Sequence, residues 1–100
     1  MKRPDITAEV ALKRSEDGGR LGPILSRHFG CILAMNGSTF DVRLRLDEPF
    51  APGEQRSVAI DFLDPSSASE LLPGARFALR ELREIATGII LTVQAERALS

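Results

Sequence analysis

Ser26 and His28 stand two positions apart in "ILSRHFG", and a hydroxyl near an imidazole is the pairing that activates a serine nucleophile. That chemistry also requires a group to orient the imidazole and donors for an oxyanion, and no other stretch advertises them. No catalytic residue is therefore assigned, and a small hydrolase built around His28 ranks last among the readings. His28 is the single histidine and Cys31 the single cysteine, so a metal site would need several carboxylates at spacings the chain does not show. Neither metal nor cofactor is expected. Cys31, between Gly30 and Ile32, reads as a small buried apolar residue.

Binding chemistry is better represented. "EDGGRLGPIL", Glu16 to Leu25, places Gly18 and Gly19 beside Arg20. Glycines let backbone amides turn toward an anion, and an arginine on such a loop can approach a phosphate closely. The same residues also read as an ordinary turn whose arginine is solvated or meets a carboxylate such as Asp17. Arg76, Arg80 and Arg83, with Arg43 and Arg45, could form a basic strip on outward strand faces. Alternatively they pair across strands with Asp41, Asp47, Asp61, Glu81 and Glu84.

The elements that must position these residues are extended. In "ITAEVALK", Ile6, Ala8, Val10 and Leu12 alternate with polar or small residues, as in a half-buried strand. "SEDGGRLGP" breaks the pattern as a long loop. "ILSRHFGCILAM" resumes as extended chain, with Gly30 expected to mark a bulge or bend. Asn36-Gly37 is a tight hairpin signal, followed by Phe40, Val42, Leu44 and Leu46 in alternation. After the turn "EPFAPGEQ", Val58, Ile60 and Phe62 form the inward face of another strand. "SSASELLPG" is a short helical turn or a loop. "ARFALRE" turns Ala75, Phe77 and Leu79 inward, and "ATGIILTVQ" supplies the last strand. The tail "AERALS" frays or forms one helical turn. Six strands without a convincing helical stripe predict an all-β, six-stranded antiparallel sandwich or closed barrel, and closure is favoured because it removes edges.

One hundred residues suffice for one domain, with its core over about 6–93 and short tails. The 43% hydrophobic and 27% charged fractions are those of a globular chain. Thirteen basic against fourteen acidic residues give a net charge of -1, so no global positive field draws nucleic acid and any such contact must be local. A single cysteine makes no internal disulfide, and no apolar run approaches a membrane span, so a cytoplasmic, soluble and unprocessed chain is expected.

The order of segments resembles the C-terminal third domain of bacterial elongation factor Tu. The pieces are "AEV" at Ala8 to Val10, "GGR" at Gly18 to Arg20 with Pro23, Pro52-Gly53, "RFALRE" at Arg76 to Glu81, and Gly88. The chain reads His28-Phe29-Gly30 and Leu82-Arg83 where the family pattern has an aromatic-Arg-Pro step and a glycine pair. The resemblance implies a barrel of the elongation factor Tu C-terminal type acting as a non-catalytic binding module. It further implies ligand contact by Gly18, Gly19, Arg20, Arg80, Arg83 and Gly88, with tRNA or another structured RNA, or a translation-related protein, as partner. A protein-interaction or oligomerisation barrel without RNA binding is the alternative. No "GxxxxGK[ST]" pattern occurs, so this chain is not expected to bind GTP. Because the family barrel packs against two others, the facing surface here is expected to meet a partner or a second copy as a homodimer. Leu63, Leu82, Ile85 and Ile90 are expected to point outward at that contact.

Overall fold

The computed structural model describes residues 3–94. Its strands are β1 (Ile6–Leu12), β2 (His28–Met35), β3 (Ser38–Arg45), β4 (Gln55–Phe62), β5 (Arg76–Arg80) and β6 (Glu84–Val93). All neighbouring pairs are antiparallel, and the order β1-β4-β3-β2-β5-β6 closes on itself as a six-stranded barrel. The fold is the one expected. The tail from 95 onward lies outside the described residues.

Alternation explains the interior. Along β1 every second residue, from Ile6 to Leu12, is buried, because successive side chains of a strand point to opposite faces. Val58, Ile60 and Phe62 do the same in β4, as do Phe77 and Leu79 in β5. Phe40 is half-buried and meets Phe62 edge-on, with centroids 5.6 Å apart. Each large side chain removed from water contributes about 1.5–3 kcal/mol before entropy is counted.

Turn chemistry sets the register. Asn36 (φ 49°) and Gly37 (φ 79°) both adopt positive φ between the paired Met35 and Ser38, which is what a two-residue hairpin with right-twisted strands requires. A 3-10 turn, Pro65–Glu70, runs into "SSASELLPG" and is capped by Asp64, whose Oδ1 accepts from the Ser66 amide at 3.2 Å. Ala68 and Leu71 drop from this segment into the core.

Three expectations are corrected. β2 begins at His28 rather than near Ile24, because Ile24 exchanges backbone hydrogen bonds of 2.8 and 3.0 Å with Phe50 across a separate bridge. Gly30 sits in an unbroken ladder running from His28↔Arg45 to Met35↔Ser38, and the irregularities fall between Thr7 and Ala8 and between Leu79 and Arg80. Ile85 and Ile90 are buried at 2% and 1% exposure, not outward. Ile90 pairs with inward-facing Ala8, leaving Ile89 opposite Glu9 on the outer face, and Ile85 is the extra residue of the irregularity itself, without a β5 partner between Glu84 and Ala86.

Candidate functional site

The loop between β1 and β2 is organised from within. Ser15–Asp17 forms one 3-10 turn, ended by Gly18 at φ 91°. The Gly18 amide donates to Ser15 O at 3.2 Å and the Gly19 amide to Arg14 O at 3.1 Å, so both backbone donors are engaged inside the loop. A Cβ on Gly19 would collide with the Lys13 carbonyl and come within 2.9 Å of Arg14 O. Close backbone approach is thus what this glycine permits.

Arg20 has three intramolecular attachments. Its carbonyl accepts from Ser15 Oγ at 2.7 Å, its guanidinium lies 5.2 Å from the Phe29 ring centroid, and its Nη1 is 2.7 Å from Glu81 Oε1. The partner is Glu81, not Asp17. The two candidate segments, the glycine loop and the turn after β5, are therefore adjacent, and an ion pair joins them. Arg80 and Arg83 are exposed there, and among the described residues neither guanidinium has a carboxylate within salt-bridge distance. Gly88 is not brought to this place. It is buried in β6 opposite Val10 and Phe77, where an added Cβ would strike the Phe77 ring.

The arginine strip is divided. Arg45 makes a two-pronged bond to Asp61, Nε to Oδ2 at 2.6 Å and Nη2 to Oδ1 at 2.8 Å. This hydrogen bonding holds the Arg45 pKa above its usual range. Arg43 and Arg76 carry no such carboxylate among the described residues. Glu84 is taken by Lys13 at 3.0 Å.

An open depression of about 500 Å³ crosses the outer face of β3 and β2. Gly30, Cys31 and Ile32 line it along β2, and Asp41, Val42 and Arg43 along β3. Leu63 flanks it beyond β4, and Arg80 at the end of β5 flanks it with Glu81 and Leu82 just beyond. Leu82 is 100% exposed and Leu63 59%, as expected from turn and strand-end positions. A neighbouring depression of about 490 Å³ shares Glu81 and Leu82 and adds Arg20, Arg83 and Ile85.

Burial first, and the Glu81 charge second, push the Cys31 thiol up to about 12, so it stays protonated at neutral pH and is a poor nucleophile. Ser26 and His28 are both exposed, and no hydrogen bond joins them. His28 instead borders a depression with Arg27, Arg45, Asp47 and Ser57. Among the described residues, no cluster of three or more His, Cys, Asp or Glu is placed to hold a metal ion, and no helix is long and apolar enough to cross a membrane.

The sequence places Arg43 in a basic strip without locating this face, and it marks Gly30 only as a bulge or bend. The available signal was a glycine in the middle of an alternating strand, whose meaning depends on what its neighbours leave open. No known family model matches the chain, and no curated protein matches it significantly.

Proposed function

We propose that this chain is a non-catalytic binding barrel of the elongation factor Tu C-terminal type, with a protein as its partner on the face over β2 and β3. The observation that carries this reading is the pair of exposed leucines, Leu63 and Leu82, at opposite ends of one depression. Covering them removes apolar surface from water at a gain of about 25 cal/mol per Å², and strongly exposed leucines around a concave surface are characteristic of interaction sites.

Protein is favoured over RNA by what the face lacks. Phe29, Phe50, Phe62 and Phe77 are buried and Phe40 is half-buried against Phe62, so the described residues offer no exposed phenylalanine ring for base stacking, and the one exposed aromatic ring, His28, borders a different depression. The net charge of -1 adds no long-range attraction. The resemblance makes a translation-related protein the first partner to try.

The test places a photo-crosslinking benzoylphenylalanine at Leu82 and, in a control, at exposed Leu72. The reading expects a protease-sensitive adduct from position 82 that is absent from position 72, and an adduct of twice the chain mass would identify a second copy. Nuclease-sensitive adducts alone, or equal yields from both positions, overturn it.

A further inference from the structure

We infer that the depression over Gly30 takes a short extended peptide segment that carries an apolar side chain next to a carboxylate. This rests on the protein-binding reading above and names the kind of segment involved.

The first observation is Gly30 itself. It lies mid-strand in a regular ladder with Arg43 opposite. Its φ is not positive, and a Cβ built on it would meet nothing nearer than Val42 O at 4.0 Å. Neither backbone conformation nor internal packing therefore requires glycine here, although glycine weakens a strand interior. What its missing side chain does is leave the depression open between Leu63 and Leu82. A side chain from outside can sit in the space that Gly30 vacates, with an exposed leucine on each side.

The second observation is charge. Arg43 and Arg80 line the same depression and have no carboxylate within salt-bridge distance among the described residues. Of the two acidic residues in the lining, Glu81 is held by Arg20 at 2.7 Å. That leaves Asp41 against Arg43 and Arg80, with exposed Arg83 in the adjoining depression. The surplus is positive and complements a carboxylate, which a guanidinium binds in a planar, two-pronged manner.

The experiment titrates the 15N-labelled full chain with four probes, read by amide chemical shifts. They are the acetylated, amidated peptides Glu-Leu-Asp-Leu, Lys-Leu-Lys-Leu and Glu-Ser-Asp-Ser, and a single-stranded uridine oligonucleotide. The inference expects saturable shifts centred on Gly30, Ile32 and Leu82 with the first peptide, at least tenfold tighter than with the other two. Gly30→Val should lose at least tenfold in affinity while melting no lower than the parent, and the surface variant Arg80→Glu should lose a similar factor. Equal binding of the lysine or serine peptide, parental affinity in Gly30→Val, or uridine shifts at the same amides would overturn it. If Leu82 crosslinks protein but the acidic peptide does not bind, this inference fails and the protein-binding reading stands. If Leu82 yields no protein adduct, the reading itself fails.

Discussion

Arg20 Nη1 lies 2.7 Å from Glu81 Oε1, joining residues 61 positions apart. The contact closes the gap between the β1–β2 loop and the turn after β5, and the guanidinium also lies over Phe29 at the start of β2. An arginine that composition presents as a ligand-seeking cation is thereby a strut between two surface segments.

Arg20→Ala is expected to lower stability by about 1–2 kcal/mol, the combined scale of a partly exposed ion pair and one cation–π contact. In a double-mutant cycle with Glu81→Ala, denaturant unfolding should show coupling of about 0.5–1 kcal/mol. Additive effects would mean that the pair contributes nothing.

Three glycines separate by what surrounds them. Gly19→Ala should cost at least about 1–3 kcal/mol, since its Cβ meets rigid backbone of Lys13 and Arg14. Gly88→Ala should cost a similar amount, because the Phe77 ring has to be displaced within the core and Glu9 O lies 3.0 Å away. Gly30→Ala should be neutral or stabilising by about 0.5–1 kcal/mol. Thermal melting of the three variants checks the order.

Asp5 is buried at 1% exposure, and its Oδ2 accepts from the Phe62 amide at 2.8 Å. Asp5→Ala leaves that amide without its acceptor and should destabilise by about 1–3 kcal/mol. Faster hydrogen exchange at the Phe62 amide would locate the effect.

The Cys31 pKa is raised from 9.0 to about 12, chiefly by burial. The folded chain then keeps a proton that the unfolded chain releases, so this contribution to stability is fully present below about pH 9 and falls as pH rises toward 12, by at most about 1.4 kcal/mol per pH unit. Alkylation by iodoacetamide at pH 8 should be slow when folded and fast in urea. Cys31→Ser should flatten the alkaline loss, and an unchanged profile would assign that loss to other groups.

Glu54 has the opposite sign. The Ala51 amide, and then Arg56, hold its pKa below the usual carboxylate range, so its contribution is present above the unfolded pKa and lost as pH falls through the folded one. Glu54→Gln should reduce the acid-side slope of a stability-against-pH curve, while an identical slope would remove Glu54 from the acid transition.

How much was legible follows from the range of each interaction. Strand alternation, Asn36-Gly37 and the all-β architecture depend on neighbours a few residues apart, so the sequence alone determined six strands, the hairpin and most of the core. It also identified the Arg20 loop and the Arg80–Glu84 turn as segments of interest, and Leu63 and Leu82 as exposed. Tertiary structure decided the rest. Irregular pairing between Leu79 and Arg80 inserts Ile85 beside Ala86 so that both are buried, Ile90 follows Ala86 and Gly88 in regular alternation, and a one-residue shift exchanges the two faces of a strand. Asp5 became buried, Arg20 found Glu81 and Gly30 became the open floor of a depression because barrel closure brings distant segments together, and no local pattern records those distances.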